Sequence, residues 1–131
     1  MRWPWTRRLL SRQELGALGE RHAARALRAK GLRILEGNFR VPQGELDIIA
    51  RDGDTLVLVE VRTRTSEETK SPLASVDHTK QQKIIRLGRL YRRARRLPEC
   101  HTRYDVVEVI ASHYGEVKEV RHVEGAFIDG M

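Results

Sequence analysis

The chain has 131 residues, 40% of them hydrophobic, with 25 Lys and Arg against 18 Asp and Glu for a formal charge of +7. That length sustains one core and not two, and the lone cysteine, Cys100, excludes an internal disulfide or a thiolate metal cluster, which suits a reducing cytoplasm. No apolar run approaches the length of a bilayer span, so no membrane partner is expected, and the basic balance favours phosphate-rich or acidic partners.

Residues 1–10 read as a basic tail, with Trp3 and Trp5 but no apolar stretch of the kind a secretion signal needs. The periodicity predicts a helix from Ser11 to about Lys30. Ser11 and Glu14 have capping-box spacing, Leu15, Leu18, His22, Ala23, Ala26 and Leu27 form one apolar arc, and Gly31 suits the position after the helix. Gly16 and Gly19 interrupt the arc, a cost in helix propensity that close approach of another element would explain. Glu20 sits at the arc's edge, and periodicity alone favours an exposed position for it.

Leu32–Leu35 predicts a short strand, and Val41-Pro42-Gln43-Gly44 a turn. Next comes the most informative stretch, Gly44 to Arg62, which reads as two strands joined by a turn at Asp52-Gly53. That turn sets Glu45 against Glu60 and Asp47 against Leu58, so Glu45, Asp47 and Glu60 share one face while Ile48, Val57, Val59 and Val61 take the other. Acids clustered among apolar neighbours repel one another, and a divalent cation is the simplest thing to hold them together. The competing reading is a solvated hairpin face on which Arg51, Arg62 and Arg64 neutralise the acids.

A polar loop follows from Thr63 to Pro72, and then a helix from about Asp77 to Arg96 with Ile84, Leu87, Leu90, Tyr91 and Ala94 on its apolar face. Lys80 lies on that face near the helix start, against the dipole. It either meets the acidic cluster or snorkels to water. Arg86, Arg89 and Arg93 give the helix a basic exterior suited to a nucleic-acid backbone, with Arg40 and Arg64 as further candidate contacts. Arg103–Ile110 and Val117–Val123 predict two more strands. Residues 124–131 read as a C-terminal tail in which Ala126-Phe127-Ile128 could dock on the core.

Several blocks then occur together: Leu15-Gly16 and Gly19-Glu20 with Ala23-Ala24, Asn38-Phe39-Arg40, Gly44-Glu45-Leu46-Asp47-Ile48-Ile49-Ala50-Arg51-Asp52, Val59-Glu60-Val61-Arg62-Thr63-Arg64, Lys80, and Tyr104-Asp105-Val106-Val107. In that order they resemble the YraN-like family of small bacterial proteins, related in fold to restriction endonucleases and Holliday-junction resolvases. The resemblance covers residues 11–123 and implies an α/β domain with a restriction-endonuclease-like core, a central mixed β-sheet flanked by helices. It also implies a bacterial, cytoplasmic setting. By the same resemblance Asp47 and Glu60 match metal ligands, with Glu45 an acid beside them. Glu20 matches a helix carboxylate aimed at the metal, and Arg62 stands where a catalytic lysine is usual. Lys80 matches a basic helix position that would supply the missing amine.

The activity implied is Mg²⁺- or Mn²⁺-dependent endonucleolytic hydrolysis of DNA, with branched or junction DNA as a substrate and a homodimer as a suitable state. Oxygen ligands independently favour a hard cation. Arginine keeps its proton at physiological pH and cannot act as a general base. That leaves two alternatives open, a non-catalytic nucleic-acid-binding protein that recruits a partner, and a protein-interaction module with a basic surface.

Overall fold

The computed structural model describes residues 8–65 and 76–129. The tail tryptophans and residues 66–72 of the expected polar loop lie outside them. The elements run α1 (Arg12–Ala29), β1 (Arg33–Val41), β2 (Gly44–Asp52), β3 (Thr55–Arg64), α2 (His78–Ala94), β4 (Thr102–Ala111) and β5 (Val117–Phe127). The five strands form one mixed sheet in the order β1-β2-β3-β4-β5. Only β3 and β4 are parallel, joined by the crossover that contains α2.

The two helices cover opposite faces of this sheet. Ala23 and Leu27 of α1 pack on Ile48, Ala50, Val57, Val59, Val107 and Val109. Ile84, Ile85, Leu87 and Tyr91 of α2 pack on Ile49, Leu56, Leu58, Tyr104 and Val106. Covered on both sides, β3 and β4 are near-continuous apolar runs, as a parallel pair requires. The expected α/β architecture with a mixed sheet is therefore the one observed, and it is consistent with a restriction-endonuclease-like core.

Local chemistry sets the helix limits. Ser11 Oγ accepts from the Glu14 N–H at 3.0 Å and Glu14 Oε1 accepts from the Ser11 N–H at 2.9 Å, a reciprocal cap for α1. Beyond the C-cap Lys30, Gly31 adopts φ 92°. At the start of α2 the Asp77 carboxylate accepts from the Lys80 N–H at 2.9 Å. Ile85 and Gly88 join the buried face of α2, whereas Ala94, expected there, is exposed. Among the described residues, no helix is long and apolar enough to cross a membrane.

Three expectations need correcting. Asp52 pairs with Thr55 and Ile49 with Leu58, so Gly53 and Asp54 are the turn residues and not Asp52 and Gly53. Only Gly53 of the two has positive φ, 58°, as a turn with glycine at its first central position demands. Glu45 is consequently not opposed to Glu60; the register moves by two residues, which preserves which side chains share a face. Secondly, β1 spans nine residues rather than four, with a bulge at Leu35 between the Ile34–Ala50 and Glu36–Ile49 pairs. Thirdly, β5 runs on through Phe127, which is buried and stacks on Tyr104 at 5.1 Å.

The two helical glycines differ in purpose. A Cβ at Gly19 would collide with Thr63 Oγ1, so α1 presses directly on β3 there, whereas a Cβ at Gly16 would meet nothing within 4 Å. Gly16→Ala is therefore expected to stabilise the fold by about 1 kcal/mol through helix propensity. Gly19→Ala is expected to destabilise it by about 1 to 3 kcal/mol through overpacking against a stiff β-branched neighbour. Thermal melts of the two variants decide the matter, and equal effects would mean that α1 does not sit this close to β3.

Candidate functional site

The site grows from a place where two β-ladders part. Between β1 and β2 the pairing continues through Phe39–Leu46 and Arg40–Glu45 to Val41–Gly44. Between β2 and β3 it ends at Ile48–Val59. Where the next backbone bond would fall, Asp47 Oδ2 accepts from the Val61 N–H at 2.8 Å. The strict alternation of β2 also fails here, because Leu46 and Ile49 both join the α2-side core. Across β1, Asn38 holds φ 53°, a left-handed conformation that asparagine tolerates better than most residues. Its side chain, beside Glu20, favours the ionised carboxylate there.

Glu20 follows Gly19 on α1, and the tight seat of that glycine on Thr63 brings its carboxylate down to the sheet. It is half-buried and not exposed as periodicity suggested. Glu20, Glu45 and Asp47 each present a carboxylate oxygen within 4.8 Å of the others. Burial and then the Asp47 charge push the Glu20 carboxyl up. Burial foremost, with Glu45 repulsion adding, raises Asp47 against the lowering effect of the Val61 bond. Arg40 Nε donates to Glu45 Oε2 at 2.7 Å and holds the third acid at the rim.

Glu60 lies outside that triad but adjoins Asp47. It is 5% exposed, and burial together with the Asp47 charge pushes its carboxyl up to about 7. Two cations oppose that shift: Lys80 Nζ at 3.5 Å and an Arg62 nitrogen at 3.7 Å, both from Glu60 Oε1. Lys80 thus reaches the acids rather than only solvent. The three clustered oxygen donors are hard and crowded, and the raised Glu20 and Asp47 carboxyls mark a charge excess that a divalent cation would relieve. The triad is compatible with a divalent-metal site.

Clefts surround the acids. One of about 430 Å³ includes Arg40, Glu45, Asp47, Lys80 and Lys83. A groove of about 510 Å³ continues from Lys83 and Leu87 along α2 past Arg86, Arg89 and Arg93. Arg89 there also pairs with Asp129 at 2.9 Å. Arg64 is not in either cleft. Its side chain is 10% exposed and lies 2.8 Å from the fully buried Glu108, so it neutralises a core acid.

Sequence reasoning missed Lys83, whose spacing from Lys80 and Leu87 on α2 was the available signal. It also missed Asn38, which the Gly37-Asn38 pair inside a strand could have flagged. Asp105 was missed too: fully buried, it is held by Arg103 at 2.9 Å, His122 at 2.8 Å and the Gly125 N–H at 2.9 Å.

The pattern recurs in other proteins. The family model described as "Uncharacterised protein family UPF0102" matches residues 19–109. A UPF0102 protein of Thermodesulfovibrio yellowstonii is 42% identical over 90% of this chain and 99% of its own length. One from Moorella thermoacetica is 41% identical over 90% and 98%, and one from Syntrophotalea carbinolica 42% identical over 91% and 96%. With the acids on a restriction-endonuclease-like sheet and this agreement nearly end to end, the chain belongs to the uncharacterised family UPF0102, within the restriction-endonuclease-like and Holliday-junction-resolvase-like superfamily.

Proposed function

We propose that this protein is a divalent-metal-dependent endonuclease that hydrolyses phosphodiester bonds in DNA, branched DNA included. The observation that carries this reading is the convergence of Glu20, Glu45 and Asp47 within 4.8 Å, beside the buried Glu60 and its Lys80 neighbour. Asp47, Glu45 and Glu20 would hold a Mg²⁺ or Mn²⁺ ion, with Glu60 completing the acidic wall. Such an ion would lower the pKa of a bound water and stabilise developing negative charge on the phosphate.

The chain's own residues supply the rest. Lys80 and Arg62 stand over Glu60, where they would offer positive charge to a phosphate oxygen. Arg62 holds the phosphate but cannot accept a proton. The Lys80 amine, carried on a capped helix start, is the group of the two that can exchange one. Arg40, tied to Glu45, borders the same cleft. Attack by water on phosphorus breaks one P–O ester bond, and the departing sugar oxygen takes up a proton. Lys83, Arg86, Arg89 and Arg93 would carry the adjoining backbone along α2.

One observation favours a second reading. Glu60 is flanked by two cations, Lys80 and Arg62, an arrangement that would also suit a nucleic-acid-binding protein without turnover. The decisive experiment incubates wild type, Asp47→Ala and Glu60→Ala with duplex, flap and four-way-junction DNA in Mg²⁺ or Mn²⁺, and records binding for all three. Wild type should cut, and each variant should lose at least about 100-fold in rate while its DNA affinity stays within a few-fold. Binding without cleavage by wild type would favour the second reading, and undiminished cleavage by the variants would discard these residues as the site.

Metal-free stability offers an independent check. The Glu60 carboxyl titrates at about 7 in the fold against an ordinary 4.5. The folded state therefore binds the proton more tightly, and stability declines as pH rises from 4.5 to 7. At about 1.4 kcal/mol per pH unit the cost approaches roughly 3 kcal/mol above pH 7. Glu60→Gln carries no such cost, so its melting temperature relative to wild type should rise between pH 5 and pH 8 in EDTA. Added Mg²⁺ should shrink that advantage. A difference independent of pH would mean that Glu60 does not titrate in this range.

A further inference from the structure

A cleft of about 580 Å³ opens on the α1 side of the sheet edge, lined by Glu20 and Asp47 at one end and by Arg21, Arg25 and Arg28 along the helix. Asp47 also lines the α2-side cleft with Lys80 and Lys83. The carboxylates therefore stand where two basic clefts meet, one on each face of the sheet, with the edge strand β1 between them.

The three α1 arginines are exposed, and among the described residues none has an ion pair or side-chain hydrogen bond. Their spacing puts Arg21, Arg25 and Arg28 on one helix face over about 10 Å of axis. Like charges three and four residues apart destabilise a helix. No acid within α1 offsets the repulsion at that spacing, since the helical positions four residues from them are Ala17, Ala24, Ala29 and one another. Arg28 gains from the helix dipole in the last turn. Arg21 and Arg25 do not. Lys83, Arg86 and Arg93 on α2 are likewise exposed without an ion pair among the described residues. A repeated, uncompensated row of guanidinium groups beside a groove is complementary to a polyanion with regularly spaced charges.

We infer that the α1 cleft binds a second stretch of the same nucleic acid, which continues from the α2 groove past the carboxylates and around the β1 edge. This rests on the nucleic-acid part of the reading above and is independent of cleavage. A substrate that must reach both faces of the sheet is long or branched, and a short oligonucleotide filling the α2 groove alone would not engage Arg21, Arg25 and Arg28.

The test is DNA affinity as a function of salt, measured in EDTA on a long linear duplex and a four-way junction. Arg21→Ala/Arg25→Ala/Arg28→Ala is compared with Arg86→Ala/Arg93→Ala, with both sets combined, and with Arg51→Ala/Lys118→Ala as a charge-removal control away from the clefts. Melting temperatures confirm that each variant folds. The α1 triple variant should lose at least about tenfold in affinity at moderate salt and flatten the log–log salt slope by about 2 to 3. Its loss should multiply with that of the α2 variant, while the control stays near wild type. An α1 variant with wild-type affinity and slope overturns the inference, leaving DNA in the α2 groove alone or the α1 row for an acidic protein. Equal losses in the α1 variant and the control also overturn it, because net charge would then be the cause. Wild type that binds no DNA removes the underlying reading as well, whereas binding through both clefts without cleavage supports the inference and removes only the nuclease.

Discussion

The hydrogen bond from the Val61 N–H to Asp47 Oδ2 is the contact on which the site depends. A buried backbone donor must find an acceptor, and with the β2–β3 ladder ending at Ile48–Val59 the acid provides one. That keeps β2 paired to β1 while it parts from β3, and the gap is where the other carboxylates gather. It also fixes Asp47 to the backbone of the sheet rather than to a loop, which holds its carboxylate to a narrower range of positions. Glu20 is positioned by an equally local constraint, the missing side chain at Gly19.

The fold tolerates this crowding because its charges are divided between two uses. Some cations neutralise particular acids within the structure: Arg64 on Glu108, Arg103 on Asp105 and Asp52, Arg95 on Glu36, and Arg8 on Glu14. Removing one partner from the buried examples would leave an uncompensated charge, the costly case for a buried pair. Several cations lining the clefts have no such acids among the described residues. Arg21, Arg25, Lys83, Arg86 and Arg93 repel their neighbours on the same helices, so the positive balance is concentrated where a phosphate chain would run.

Much of this was legible in the sequence because the responsible signals are local. The Ser11–Glu14 cap, the glycine after α1 and the Asp-Gly hairpin all act over a few residues. The hairpin turn was placed one residue early, yet the register moved by two, an even number, so Asp47 and Glu60 stayed on a common face. Less local features were hidden. The nine residues of β1 do not alternate cleanly, since the bulge at Leu35 and the left-handed Asn38 both interrupt the pattern. The strand over Arg103–Ile110 was legible, but not the burial of Asp105 and Glu108, which is compensated by Arg103 on the same strand and by His122 and Arg64 on the neighbouring strands. The same long-range pairing removed Arg64 from the phosphate-contacting set.

Arg62, two residues beyond Glu60 on β3, has a structural counterpart on α2. An ammonium group there also faces Glu60, and it comes from Lys80, whose backbone N–H is capped by Asp77. The cap fixes the first turn of α2, and the first turn fixes where the amine enters the cleft. Arg62 approaches the same Glu60 oxygen from within the sheet, so two cations from different elements converge on one carboxylate oxygen. Lys83 lies one turn further along, over Gly44, where an added Cβ would stand 2.7 Å from Cε. Lysine on α2 therefore borders the acidic cleft twice, once paired with Glu60 through Lys80 and once at the mouth of the α2 groove through Lys83.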